Sequence, residues 1–293
     1  MVKDLNQQAF LALVQAGLWG DVKVNGYRLK IKESAIDWGE GYRLAEEQSV
    51  IGLIADAIDR FKLQVPGFKI PQEWALQFIG QTLQIEQRNK AMNVFIAELV
   101  EEMRKEDIYT LLVKGQGIAQ CYEKPLWRAS GDVDLFLSDT NYQKAKTYLY
   151  PLSSGCKPER KYSKEWGMNI GQWYVELHGT QRTGLSSRVD KVIDEVQRSV
   201  FYDGKVRSWM NGNTQVFLPA PDEDVFLVFT HFVKHFYKEG GVSVRQLCDW
   251  CRLIYTYRES LNHGLLESRI RKAGLLDEWR AFYNLAHKYL GMQ

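Results

Sequence analysis

The chain is short of the features that settle a protein's class at a glance. Its four cysteines, Cys121, Cys156, Cys248 and Cys251, stand at irregular spacing and do not make a disulfide framework. No uncharged apolar run approaches the roughly 18 residues that a membrane helix needs. No charged-then-apolar leader precedes Ala9. Lys and Arg number 38 against 36 Asp and Glu, a net charge of +2. That balance commits the chain neither to long nucleic acid nor to an anionic membrane. Internal repeats and low-complexity tracts are missing too. What remains is a globular composition, 45% hydrophobic and 25% charged over 293 residues, enough for one large or two to three small domains. A cytoplasmic location and no membrane partner are the expectations.

Three motifs fail for want of a part. Cys248-Asp249-Trp250-Cys251 is formally a C-x-x-C, but no second pair completes a zinc site. It also lies inside a helical pattern, so buried helical thiols are expected. His231 and His235 share a helix face one turn apart, yet Phe-Val-Lys separates them, without the glutamate of a zinc protease. They read as pocket-lining or packing residues. Gly115-x-Gly117 lacks the third glycine of a dinucleotide fingerprint, Gln120 standing in its place.

The feature that does stand out is Gly131-Asp132-Val133-Asp134-Leu135-Phe136-Leu137. On a strand, alternate side chains share a face, so Asp132 and Asp134 project together while Val133, Leu135 and Leu137 face the other way. Two carboxylates side by side repel unless a cation sits between them, and a hard divalent ion such as Mg2+ or Mn2+ suits them. Removing one of the two charges, as in Asp134→Asn, is therefore expected to leave the fold intact or slightly more stable. Upstream, Tyr109–Val113 reads as a buried strand running into Lys114-Gly115-Gln116-Gly117 and a helix start. A strand, a glycine turn and a helix N-terminus make an anion site, to which Lys114 adds a point charge. Downstream, in Gln172–His178, Tyr174, Glu176 and His178 share one strand face. Sheet neighbourhood can bring Glu176 beside the aspartates as a third carboxylate.

These residues resemble the polymerase-β-like nucleotidyltransferase superfamily: a glycine turn opening a helix, a strand with Asp-x-Asp, then a strand with one more acid. The stretch from Leu111 to Leu137 is most similar to a bacterial nucleotidyltransferase-like group whose first motif reads Lys-Gly, as Lys114-Gly115 does here. That group also places an arginine shortly before the Asp-x-Asp strand, matched by Arg128. The segments Val175–His178 and His231–Trp250 are similar to it as well. The resemblance implies a metal-dependent transferase that moves a nucleoside monophosphate from a nucleoside triphosphate to an acceptor, which can be a small molecule, an RNA end or a protein. Asp132, Asp134 and Glu176 would be catalytic and would hold the metal. Lys114, Gly115, Gln116, Gly117 and Arg128 would bind the triphosphate; the alternative for Arg128 is to pair instead with Asp132 or Asp134 when no metal is bound. His178, His231, His235 and Arg245 would line the substrate pocket. The rival readings are a nucleotide-binding or protein-interaction module without turnover, and a metal-dependent phosphohydrolase. Retention of all three acids speaks against the first, and the scarcity of further His and Asp ligands against the second.

The organisation predicted along the chain is α+β. Residues 1–105 form an N-terminal helical region, 106–218 a nucleotidyltransferase-like core with a small mixed sheet, and 219–293 a C-terminal helical region. Apolar spacing predicts helices over Asp4–Leu18 and Gly39–Arg60, then a long one over Trp74–Lys105 that points Ile85, Ala91, Val94, Phe95, Leu99 and Met103 inward. Shorter helices are predicted over Asp139–Tyr150 and Ser186–Val200. Phe201–Leu218 reads as strand-turn-strand about Asn211-Gly212-Asn213. Pro219-Ala220-Pro221-Asp222 reads as a helix start, with helix from there to the C-terminus broken near Gly240 and His263.

Overall fold

The computed structural model describes residues 2–20, 23–24, 27–28 and 36–292. Their architecture is α+β, a seven-stranded mixed sheet set between helical layers. The helices α1 (Val2–Trp19), α2 (Trp38–Glu47) and α3 (Ile51–Gln64) come first, with a two-stranded ribbon, β1 (Lys23–Val24) and β2 (Tyr27–Arg28), between α1 and α2. The predicted helix over Gly39–Arg60 is thus two helices, broken where Ser49 takes φ 56°.

The long helix α4 (Gln72–Lys105) follows. Its buried positions Phe78, Thr82, Asn89, Met92, Ile96, Leu99 and Met103 recur at steps of three, four or seven residues, a stripe that faces one side. Ala91 and Val94 lie outside this stripe and are exposed, contrary to the sequence expectation. Their places are taken by Met92 and Ile96. Two buried polar residues in the stripe are satisfied: Thr82 donates to the Phe78 carbonyl, and Asn89 donates to the carbonyls of Leu126 and Arg128.

The sheet then builds in the order β5-β6-β7-β4-β3-β9-β8. The strands are β3 (Leu111–Val113), β4 (Asp132–Phe136), β5 (Gly155–Cys156), β6 (Glu165–Ile170), β7 (Trp173–His178), β8 (Val206–Asn211) and β9 (Thr214–Pro219). β4 is parallel to β7 and β3 is parallel to β9; the remaining pairs are antiparallel. The short helix α5 (Gly115–Ala119) follows β3, and α6 (Asp139–Leu149) follows β4. The hairpin of β8 and β9 turns tightly at Gly212, which takes φ 62°. Its first strand starts later than predicted, because α7 (Ser187–Tyr202) runs on through Phe201 and Tyr202.

Strand alternation divides the core in two. Val133, Leu135, Val175, Leu177, Leu112 and Val216 face α4 and α6 and form one apolar cluster with them. Leu111, Val113 and Phe136 face the other way and join a larger cluster with α7, α8 (Pro221–Lys238), α9 (Val244–Tyr257), α10 (His263–Ala273) and α11 (Leu276–Leu290). The N-terminal helices α1–α3 contribute to this same cluster. Pro221 and three acids occupy the first turn of α8, and a Ser243–Gln246 capping box opens α9. Among the described residues no helix is long and apolar enough to cross a membrane.

Candidate active site

The parallel register of β4 and β7 builds the site. Asp134 stands opposite Glu176, Asp132 opposite Tyr174 and Phe136 opposite His178. Because the strand period is two, Asp132, Asp134, Glu176 and His178 share the face away from α4. Ligand atoms of Asp134, Glu176 and His178 lie within 4.8 Å of one another, the one such group of three or more among the described residues. Asp132 lines the same pocket but stands outside that group.

Asp134 is the centre of the cluster. It is 3% exposed, and a single oxygen, Oδ1, takes both the Lys114 ammonium at 2.9 Å and His178 Nε2 at 2.7 Å. His178 Nε2 also stands 3.6 Å from Glu176 Oε2. Burial opposes ionisation of Asp134, but the Lys114 charge and the His178 contact outweigh it and hold the carboxyl far below its ordinary range. Asp132 shifts the other way, raised first by the charge of Asp134 and then by burial. Glu176 is raised by burial and by the same neighbour. Environment thus separates two aspartates that the sequence presents as equals.

Lys114 reaches Asp134 from an unusual backbone. It has φ 57° and ψ −146°, a conformation that glycine adopts freely and a residue with a Cβ adopts at a cost of about 1–3 kcal/mol. Burial would lower its pKa, but the attraction of Asp134, followed by Asp132 and Glu176, raises it. Gly115 next to it has φ 39°. A Cβ on Gly117 would fall 2.5 Å from a Leu218 methyl group, so that glycine lets the helix lie against β9. The side chain of Gln116 is turned inward: it is 1% exposed and donates to Asn89 Oδ1 and Ser130 Oγ, tying α5 to α4 and to the loop before β4.

Arg128 is a correction to the sequence expectation. It pairs with neither Asp132 nor Asp134 but, through Nε at 2.9 Å and Nη2 at 2.5 Å, with both carboxylate oxygens of Asp249. The Tyr122 hydroxyl donates to Asp249 Oδ1 as well, at 2.7 Å. Asp249 lies in α9, 121 residues further along, in the middle of the C-x-x-C. The two cysteines are fully buried, and burial pushes both thiols up, as expected of helical packing residues.

One turn before Asp249, Arg245 has the freedom that Arg128 lacks. Its Nη1 donates to the Ala129 carbonyl, its Nε is buried without a partner, and no carboxylate pairs with it among the described residues. Burial and the neighbouring Arg128 charge lower its pKa. A cation held beside another cation and left without an anion is a ready place for one. Sequence reasoning placed Arg245 in the pocket; it missed Gln181, whose buried Nε2 also lines the pocket without a partner.

His231 and His235 of α8 line the facing wall. Their Nε2 atoms are 2.9 Å apart, and His235 Nδ1 is 2.6 Å from Glu239 Oε2. With His235 donating from Nδ1 to Glu239, its Nε2 accepts from His231, leaving the lone pair of His231 on Nδ1. Burial lowers both pKa values. The cavity enclosed by these walls has a volume of about 380 Å³.

No curated protein matches the sequence. Among solved structures, an antigenic nucleotidyltransferase-like protein from Paracoccidioides brasiliensis is similar at a TM-score of 0.39 and 11% identity, over 69% of this chain and 92% of that one. That likeness is too distant to carry any residue across. The family described as "Uncharacterised nucleotidyltransferase" matches residues 34–291, which takes in every strand of the seven-stranded sheet and every residue of the site. By that match, the chain belongs to this nucleotidyltransferase family.

Proposed function

We propose that the protein is a metal-dependent nucleotidyltransferase that transfers a nucleoside monophosphate from a nucleoside triphosphate to an acceptor and releases pyrophosphate. The observation that carries this reading is the meeting of Asp134, Glu176 and His178 within 4.8 Å, on the floor of a pocket whose wall holds a guanidinium without an anion. Two carboxylates and an imidazole at that spacing suit Mg2+ or, with its greater tolerance of nitrogen, Mn2+. Such an ion would neutralise charge on the transferring phosphoryl group and draw the reactants together.

The chain's own residues account for the rest. Lys114 and Gly115 line the pocket where the triphosphate would lie, and Arg245 takes over the role that the sequence suggested for Arg128. Arg128 and Gln116 act from behind, Arg128 by fixing α9 to the loop before β4 and Gln116 by fixing α5. The acceptor enters from the Thr180–Thr183 side, where the free amide of Gln181 meets an oxygen of the acceptor. Its oxygen bonds to the α-phosphorus as the bond from that phosphorus to the bridging oxygen breaks, and pyrophosphate departs. Asp132, the aspartate whose pKa is raised, receives the acceptor's proton.

The test is a transfer assay. Purified protein with each nucleoside triphosphate, Mg2+ or Mn2+ and a cell extract is expected to yield a product heavier by one nucleoside monophosphate, detected by mass spectrometry. Asp134→Ala is expected to abolish it. A product heavier by phosphate alone, or one that persists in the variant, contradicts the reading.

A further inference from the structure

Lys114 combines two features that bear on each other. Its backbone sits where glycine belongs, and its ammonium sits on the oxygen of the most buried carboxylate in the site. A strained backbone persists only where its surroundings hold it, and the bond from Nζ to Asp134 Oδ1 is one of the contacts Lys114 makes there, beside the bond its carbonyl accepts from the Ile118 N–H. That oxygen belongs to the group best placed to bind a divalent ion, and His178 Nε2, the nitrogen of the same group, is turned onto it as well. An ammonium and a divalent ion cannot share one carboxylate oxygen at about 3 Å without strong mutual repulsion. Charge count points the same way. Asp132, Asp134 and Glu176 face the pocket, and Lys114 makes the one ion pair from a lysine or arginine to any of them among the described residues. Arg128 is spent on Asp249.

We propose that Lys114 is an exchangeable cation of the metal site: its ammonium holds Asp134 until a divalent ion and the triphosphate arrive together, and it then passes from the carboxylate to the phosphates bound at the same turn. The second half rests on the nucleotidyltransferase reading; the first needs only the cation site. Two consequences separate this role from that of an ordinary phosphate-binding lysine. The divalent ion binds weakly by itself because it must displace an internal charge. Nucleotide tightens ion binding because it gives that charge a new partner.

The experiment is titration of the protein with Mn2+ alone, followed by electron paramagnetic resonance of the free ion, then repeated with an α,β-methylene nucleoside triphosphate. Lys114→Met keeps the stem and removes the charge. It is expected to bind Mn2+ without nucleotide at least tenfold more tightly than the unaltered protein, and to lose most of the tightening that nucleotide brings. Lys114→Gly removes both the charge and the backbone strain; it is expected to show the same gain and serves if the methionine variant folds poorly. Asp134→Asn is expected to remove the tight Mn2+ site in either background. Equal affinity for Mn2+ alone in Lys114→Met, Lys114→Gly and the unaltered protein, with Asp134→Asn abolishing it, overturns the exchange and leaves the transferase reading standing. A gain in affinity with undiminished nucleotide coupling overturns the hand-over to phosphate. Absence of Mn2+ binding in every protein, with and without nucleotide, removes the exchange and the transferase reading together.

Discussion

Two buried ionic clusters lie within one pocket wall of each other, and they are built on opposite plans. Around Asp249, one carboxylate meets a bidentate guanidinium and a tyrosine hydroxyl, and the side chains of Arg128 and Asp249 are each 6% exposed. There Arg128 and Asp249 are each other's counter-charge. Around Asp134, three acids face a single lysine, and two of them carry raised pKa values, Asp132 from the charge of Asp134 and from burial, Glu176 from burial and from that same charge. The first cluster is closed and works as a clamp between α9 and the loop that leads into β4. The second is short of positive charge, which is the condition for holding a cation from outside.

The contrast is broken most severely at the clamp. Asp249→Ala leaves the Arg128 guanidinium buried without its partner, and a loss of about 3–5 kcal/mol of stability is expected in denaturant titration. A loss below about 1 kcal/mol would show that the cluster is wet and interchangeable with the other. At the second cluster, Asp134→Asn takes an anion from Lys114 and an acceptor from His178. The expected cost is about 1–3 kcal/mol, most of it from an uncompensated buried ammonium. This reverses the expectation drawn from two repelling aspartates. A folded pKa held below the unfolded value contributes stability above the ordinary aspartate range and loses it as pH falls through the folded value. The difference between the parent and Asp134→Asn should therefore be full at pH 7 and shrink below about pH 4.

Smaller effects sharpen the comparison. Lys114→Gly should be more stable than Lys114→Ala by about 1 kcal/mol, since both lose the ion pair but only glycine fits the backbone at φ 57°. Equal melting temperatures for the two would remove the strain from the account. Asp132→Asn should stabilise the protein by roughly 0.5 kcal/mol at pH 7, the scale of a like-charge pair relieved. Its folded pKa is raised, so the penalty it removes is absent below the unfolded pKa and complete above the folded one. Thermal melting at pH 7 and at about pH 3.5 should show the gain at the first and not at the second.

How much of this was legible in the sequence depends on how far each contact reaches. Asp132 and Asp134 were placed on one face by the strand period alone, and that period also put Glu176 and His178 together on theirs. The register that sets Asp134 beside Glu176 was not legible, because it is decided by the parallel pairing of strands 42 residues apart. His178 was therefore read as pocket lining rather than as a neighbour of Asp134. The partner of Arg128 lies across the fold in α9, and no local pattern announces Asp249 between two cysteines. The inward face of α4 was misread at Ala91 and Val94, where apolar residues sit beside the stripe and the buried polar Thr82 and Asn89 disguise its true phase. At Lys114 the difficulty is of another kind: a positive φ is signalled in sequence by glycine, and here the residue is lysine.

On the proposed reading, Asp134, Glu176 and His178 hold a divalent ion together with a nucleoside triphosphate. It is tested most directly by calorimetric titration of an α,β-methylene nucleoside triphosphate in the presence and absence of Mn2+, on the unaltered protein and on Glu176→Gln. The nucleotide is expected to bind tightly only when Mn2+ is present, and Glu176→Gln, still folded, is expected to lose this dependence together with at least tenfold in affinity, about 1.4 kcal/mol. Nucleotide affinity indifferent to Mn2+, or undiminished in Glu176→Gln, would contradict it.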